Sequence, residues 1–143
     1  MPTSVLLSIK PSFANAILEG TKTFELRRTV FRNRTVRKIV MYASSPVSLV
    51  VGEFIVDGIL AFEPKELWAL TAKGAGVDQA FFDDYFRGRE IGFALKVHHP
   101  RRYAKPLRLQ EHFGLSRPPQ SFCYLAQNFM PNNLASYTPE NKI

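Results

Sequence analysis

Cysteine is nearly absent: Cys123 is the one cysteine among 143 residues. No intrachain disulfide and no cysteine-based zinc site can therefore form, and Cys123 reads as a small buried hydrophobe. Long apolar runs are missing too. Leu49-Val50-Val51 and Ala94-Leu95 are interrupted within a few residues, whereas a membrane span needs about 20 apolar residues in succession; a transmembrane helix is excluded, and no membrane partner is expected. Met1-Pro2-Thr3-Ser4-Val5-Leu6-Leu7 has no basic region and its apolar run stops by Lys10, unlike a secretory signal. A cytoplasmic protein is expected. There is no Walker loop, no G-x-G-x-x-G and no Ser-His-Asp signature. His98-His99 and His112 have no cysteine or carboxylate at ligand spacing, and adjacent residues on a strand face opposite ways, so no metal site is assigned to them. Asp83-Asp84 and Glu90 flank Arg87 and Arg89, where acids serve solubility and local pairing rather than magnesium binding.

Acidic residues are the other shortage. Twelve Asp and Glu stand against 19 Lys and Arg, a net charge of +7, which points to a polyanionic partner. The charge is segregated. Arg27, Arg28, Arg32, Arg34, Arg37 and Lys38 form one block without an acid, and Lys96, Arg101, Arg102, Lys105 and Arg108, with His98 and His99, form another. A single block reads as a solvated strand edge; two together favour a binding face, and one continuous positive surface bordered by Arg27, Arg28, Arg32 or Arg34 and Arg101 or Arg102 is expected.

At 143 residues the chain is one domain's length, and 45% hydrophobic with 13% aromatic residues suffices to fill a core. No repeat or internal linker appears. The domain is assigned to residues 1–128, followed by a weakly ordered tail over 129–143 rich in Asn, Pro, Ser and Thr. Val5 to Ile9 reads as a short strand, and Pro11 opens a helix in which Phe13 and Ile17, and Ala14 and Leu18, pair at i,i+4. Gly20 caps it. From Thr21 the period becomes two: Phe24 and Leu26 point inward, and Thr23, Glu25 and Arg27 share a polar face. Lys38 to Ala43 is a buried strand ended by the turn Ser44-Ser45-Pro46, and Ser48 to Leu60 is a long strand bent or bulged at Gly52 and Gly58. Helices follow from Pro64 to about Ala72, anchored by Leu67 and Trp68, and from Asp78 to Phe86, with Phe81, Phe82, Tyr85 and Phe86 as a packing stripe. Ile91 to His99 and Gln120 to Leu125 complete the strands. Phe24, Leu26, Val40, Phe54, Phe93, Leu95 and Phe122 are the expected core.

Gly20-Thr21-Lys22-Thr23-Phe24-Glu25-Leu26-Arg27 has the form G-x-K-x-x-E-x-R at a helix-to-strand junction. It resembles the signature of the ASCH domain. The resemblance extends to Ser8-Ile9-Lys10-Pro11, Tyr42-Ala43-Ser44-Ser45-Pro46 with Gly52-Glu53-Phe54, and Pro119-Gln120-Ser121-Phe122, covering roughly residues 4 to 125. ASCH domains are similar to PUA domains, which implies a mixed α+β fold: a small closed PUA-like β-barrel flanked by helices, with a basic cleft between barrel and helices that receives RNA. Carried over by position, the resemblance implicates Lys22, Glu25 and Arg27. Lysine and arginine can meet phosphate, and a carboxylate can accept from a base amino group or orient the arginine. Equally, Glu25 and Arg27 can form an ion pair that braces the barrel. One similar branch comprises amidohydrolases acting on acetylated cytidine, with threonine where this chain has Glu25; that activity is not carried over, and Thr23, two residues away, is a weak substitute.

The leading expectation is an RNA-binding protein holding single-stranded or locally unpaired RNA through Lys10, Lys22, Glu25, Arg27, Arg28, Arg32, Ser44, Ser45, Arg101, Arg102 and Gln120. Lys22 is expected to lay its stem over apolar surface with the ammonium in the cleft, so that its removal costs little stability. The alternatives are an RNA-processing enzyme, either a metal-assisted ribonuclease with magnesium or a modified-nucleoside hydrolase, using Lys22, Glu25, Tyr42 or Ser121, and an adaptor or transcriptional co-regulator with a protein partner.

Overall fold

The computed structural model describes residues 4–125; the expected tail lies outside them. The chain runs β1 (Ser4–Ile9), α1 (Pro11–Glu19), β2 (Phe24–Arg27), β3 (Lys38–Ala43), β4 (Leu49–Phe62), α2 (Pro64–Thr71), α3 (Gln79–Tyr85), β5 (Gly92–Leu107), α4 (Leu109–Phe113) and β6 (Phe122–Leu125). The strands form one curled sheet in the order β2-β5-β4-β3-β1-β6. Only β1 and β3 are parallel, because α1 and β2 intervene between them; the other pairs are antiparallel.

The fold is mixed α+β as expected, but the barrel is open rather than closed. The ladder ends at β2 on one side and β6 on the other. β2 has only four residues, and side chains take the place of a ladder across the gap. The Arg27 guanidinium donates to the Ser8 carbonyl at 3.1 Å and to the Ser121 carbonyl at 3.4 Å. The segment after β2 folds over the same gap: the Tyr124 hydroxyl accepts from the Arg32 and Asn33 amides at 3.0 Å each, and Phe31 packs edge-on to Phe122.

Alternation along the strands divides the core by face. Val5, Leu7 and Ile9 of β1, Ile39 and Met41 of β3, Phe54 of β4 and Leu95 of β5 pack with Ala14 and Ile17 of α1. Leu6, Val40, Tyr42, Val50, Tyr103 and Leu107 face the other way, under Leu109 and Phe113 of α4. Leu26 and Ala94 receive α2 and α3 through Leu67, Phe82 and Phe86, with Trp68 tilted against Phe82. Full burial of a side chain such as Phe82 contributes about 1.5–3 kcal/mol. Of the expected core, Leu26, Val40, Phe54 and Leu95 are buried, while Phe24, Phe93 and Phe122 are half-buried.

Glycine positions in β4 follow the sequence reading. Register shifts fall between Val50 and Gly52 and between Val56 and Ile59. A Cβ on Gly52 would lie 2.5 Å from the Arg101 carbonyl, and Gly58 has φ +106°. β5 is longer than expected, running past His99 to Leu107, and α4 was not anticipated. Cys123 is only half-buried, and burial pushes its thiol above the ordinary range.

Candidate functional site

The signature is placed by its backbone. Gly20 ends α1 in the left-handed region at φ +88°, a conformation glycine adopts without strain. The Thr21 and Lys22 amides then both return to the Ala16 carbonyl, at 3.0 and 3.1 Å, and those of Thr23 and Phe24 reach the Gly74 carbonyl at 2.8 and 3.1 Å. The chain thus enters β2 beneath the segment joining α2 to α3. Contact there is too close for side chains: a Cβ on Gly74 would lie 2.0 Å from Thr23 Oγ1, and one on Gly76 2.9 Å from Lys22 Cγ.

Lys22 is consequently 1% exposed, so its ammonium does reach the cleft but its stem is wholly enclosed. Its Nζ donates to the Ala75 carbonyl, lies 4.8 Å from the Phe13 ring centroid and stands 3.9 Å from Glu25 Oε1. Burial holds the ammonium below the ordinary lysine range, against an opposing pull from Glu25. Removing it leaves the Ala75 carbonyl without its donor and the buried Glu25 carboxylate with one cation fewer, which overturns the expectation that its loss is cheap.

Glu25 is buried as well, at 3% exposure. The expected polar face of β2 is thus a covered one: Glu25 is in register with Leu95 of the α1-side core, while Leu26 turns to α2 and α3. Its Oε2 accepts from Arg27 Nη1 at 3.2 Å, whereas Oε1 has no hydrogen-bond partner. Burial pushes the carboxyl above its ordinary range; the charges of Lys22 and Arg27 and the Arg27 hydrogen bond oppose that shift. Arg27 also donates through Nη2 to Ser121 Oγ at 2.6 Å. The bracing ion pair and the line-up of signature side chains therefore coexist.

These groups open into a cleft of about 220 Å³ between α1, β2 and α3, lined by Ser8, Lys10, Phe13, Lys22, Glu25, Arg27, Arg28, Phe81 and Tyr85 among others. Its walls are aromatic. Phe13 meets Phe81 edge-on at 5.7 Å, and Phe81 and Tyr85 lie nearly parallel at 6.1 Å. Lys10 Nζ stands 5.4 Å from the Phe81 centroid, and the Arg28 guanidinium 4.6 Å from that of Tyr85. The expected packing stripe on α3 is thereby split: Phe82 and Phe86 are core, and Phe81 and Tyr85 belong to the cleft. Aromatics on two adjacent faces of one short helix were the available signal, being wider than a single packing face requires.

A second recess of about 310 Å³ adjoins the cleft across Arg27, Arg28 and Tyr85, and is lined further by Thr29, Arg89, Gln120 and Ser121. The structure thus brings together Lys10, Lys22, Glu25, Arg27, Arg28, Gln120 and Ser121. Tyr42 lies instead in the core beneath α4. Ser44 and Ser45 occupy the turn after β3, and Arg32 is on the segment held by Tyr124.

The single positive groove fails. Arg101 donates to Glu53 Oε2 at 2.8 Å, Lys38 stands 3.6 Å from the same oxygen, and the Tyr103 hydroxyl donates to Oε1 at 2.8 Å. Glu53 is in register with Val40 and Arg101, which puts this network on the α4 face, opposite Glu25. Arg102 donates to Asn15 Oδ1 at 2.8 Å, and Asn15 is about 200° around the helix from Phe13, so α1 stands between Arg102 and the cleft. Among the described residues no group of three His, Cys, Asp or Glu side chains gathers at metal-ligand spacing. His112 folds back on the Arg108 backbone, with 3.2 Å between its Nδ1 and the Arg108 amide, and Asp84 pairs with Arg87 at 3.1 Å. No helix among the described residues is long and apolar enough to cross a membrane.

Fold and cleft define a curled half-barrel whose polar pocket lies between one sheet edge and two helices. The family model of the ASCH domain matches residues 7–112, and the chain belongs to the ASCH domain family. It is 33% identical over 122 residues to the ASCH domain-containing ribonuclease of Zymomonas mobilis, covering 84% of this chain and 82% of that protein. The crystal structure of ASCH from Zymomonas mobilis is similar at TM-score 0.78 and 29% identity, over 87% of this chain and 88% of that one. A serine-to-alanine mutant of the same protein gives TM-score 0.79 at 28% identity, over 87% of this chain and 89% of that one. The chain is also 24% identical over 123 residues to large ribosomal subunit protein uL22 of Ureaplasma parvum, covering 85% of this chain but only 39% of that protein.

Proposed function

We propose that this protein acts on single-stranded RNA in the cytoplasm, holding unpaired nucleotides in the α1–α3 cleft and cleaving the chain there. The observation that carries this reading is Glu25 Oε1, a buried carboxylate oxygen without a hydrogen-bond partner, set 3.9 Å from an ammonium at an aromatic-walled opening. A carboxyl held above its ordinary range beside a lysine held below its own forms a matched proton acceptor and donor. In this scheme Glu25 takes the proton of a ribose 2′-hydroxyl as its oxygen bonds to phosphorus. Lys22 gives a proton to the departing 5′-oxygen as the P–O bond breaks, leaving a 2′,3′-cyclic phosphate and a 5′-hydroxyl. Bases stack on Phe81 and Tyr85, a mode that only unpaired strands allow. The ribonuclease and the ribosomal protein among the relatives support an RNA setting.

Magnesium fits this donor set poorly. The cleft offers one signature carboxylate already flanked by two cations, whereas the ion prefers several oxygen ligands. The test is end-labelled single-stranded and duplex RNA incubated with the wild type and Glu25→Gln, each with magnesium or with EDTA. Cleavage of single strands only, lost in a folded Glu25→Gln protein, is the expected result. Strict magnesium dependence would replace the side-chain scheme by one in which the ion is held by substrate phosphates. RNA retarded but intact would return the protein to a binding module, and association insensitive to salt would favour the adaptor reading.

A further inference from the structure

The cleft and the recess beside it differ in chemistry. The cleft holds the Glu25 carboxylate beside Lys22 and Arg27, with aromatic rings along its walls. The recess, across the shared rim of Arg27, Arg28 and Tyr85, contains a third arginine, Arg89, and the hydroxyls of Thr29 and Ser121, with no carboxylate among the described residues that line it. We propose that this recess is a phosphate subsite, which receives a backbone phosphate of the strand whose base occupies the cleft; the proposal rests on the RNA reading above.

The donors are fixed in advance. Arg27 is held by the Ser8 carbonyl, Glu25 and Ser121 Oγ, and Arg28 lies over the Tyr85 ring at 4.6 Å. Arg27, whose Nη groups already donate to Ser8, Glu25 and Ser121, adds fixed charge to the rim, and the planar guanidinium of Arg28 is left to meet phosphate oxygens in pairs. Arg89 follows α3, its side chain exposed and its backbone amide bonded to the Phe86 carbonyl at 2.9 Å. It adds charge without structural duty. Another recess, between Arg34, Arg37 and Asp57, contains an acid and is the poorer anion site. Arg89 and Thr29 lie outside the signature, and the division of labour assigns base contact to the aromatic cleft and charge contact to the arginine recess.

Arg89→Ala tests this, with Arg87→Ala as control. Arg87 carries the same charge two residues earlier but pairs with Asp84 away from the recess. Binding of a single-stranded RNA hexamer is read by fluorescence anisotropy across a salt series. Arg89→Ala is expected to weaken binding several-fold and to shallow the slope of log K against log salt by about 0.7, the value for one lost phosphate contact on a single strand; Arg87→Ala should leave both unchanged. Hexamers with and without a 5′-phosphate separate an internal diester, for which the two bind alike, from a terminal monoester. Inorganic phosphate is titrated separately while the amide resonances of Thr29 and Ser121 are followed. Saturation in the wild type that moves to higher concentration in Arg89→Ala upholds the anion site even if RNA does not bind, an outcome that would sink the RNA reading alone. RNA binding affected equally by both arginine variants, or no phosphate response at Thr29 and Ser121, would overturn the subsite and leave the RNA reading standing.

Discussion

Replacing Lys22 by methionine keeps most of the buried stem and deletes the ammonium. The Ala75 carbonyl loses its donor, and Glu25 keeps Arg27 as its sole cationic neighbour. Removing one partner of a buried pair costs about 3–5 kcal/mol. Here the 3.9 Å separation and the remaining Arg27 contact reduce that to about 2–4 kcal/mol. At roughly 3 °C per kcal/mol for a domain of this size, the melting temperature should fall by about 6–12 °C at pH 7. The pH dependence has a definite sign. Glu25 is pushed above 4.5 in the fold, and losing Lys22 removes one of the charges that oppose the shift. The folded state then holds the proton more tightly than the unfolded one, so stability is lost as pH rises from 4.5 through the raised folded value and is regained on acidification. The deficit of Lys22→Met against wild type should therefore shrink between pH 7 and pH 5. Adding Glu25→Gln should recover part of the loss and remove the pH dependence. Differential scanning calorimetry of the three proteins reads all of this, and a Lys22→Met protein that melts with the wild type at both pH values would refute the buried-pair argument.

Arg27→Ala should raise hydrogen exchange at the Ser8 amide and along β6 before it affects β3 or β4, because Arg27 donates to the Ser8 and Ser121 carbonyls across the gap between the edge strands; uniform exchange would deny it this role. Gly76→Ala combines a φ of +72° with a Cβ 2.9 Å from Lys22 Cγ, and should cost at least about 1–2 kcal/mol in denaturant unfolding. Tyr85→Ala should weaken single-stranded RNA binding by about 1–3 kcal/mol, since Tyr85 lines both openings, and should also lower the melting temperature through loss of its contacts with Phe86 and the Leu26 carbonyl; unchanged affinity in the folded variant would remove the ring from the binding surface. Truncation after Asn128 should leave a cooperative thermal transition, checked by circular dichroism.

Local rules carried α1 and α3 well. Pro11 opens α1 and Gly20 closes it, and Asp78 caps α3 by accepting from the Phe81 amide at 2.8 Å. The strand expected over Ile91 to His99 continues through Pro100 and Pro106; that second half pairs with β4 alone, β2 having ended at Phe93–Lys96, so an unpaired edge tolerates proline. The resemblance placed Lys22, Glu25 and Arg27 together, while alternation put Glu25 on a polar face. Its burial depends on α1 and the Gly74–Gly76 segment, about 50 residues away, and periodicity does not register such contacts. Glu53 escaped for the same reason: its partners Lys38, Arg101 and Tyr103 come from two other strands, and their gathering is what divides the basic blocks.

An incomplete barrel has two free edges, and free edges invite a second copy of the chain to add its own strand. Arg27 occupies acceptors on one margin, at Ser8 and Ser121, while the arginine-rich segment after β2 lies across the gap held by Tyr124. Self-repulsion among these cations guards the margin in concentrated solution. A polyanion bound over them cancels that repulsion, so the solubility of the protein becomes a function of how much nucleic acid it carries. Turbidity should rise near charge equivalence and clear again with added salt.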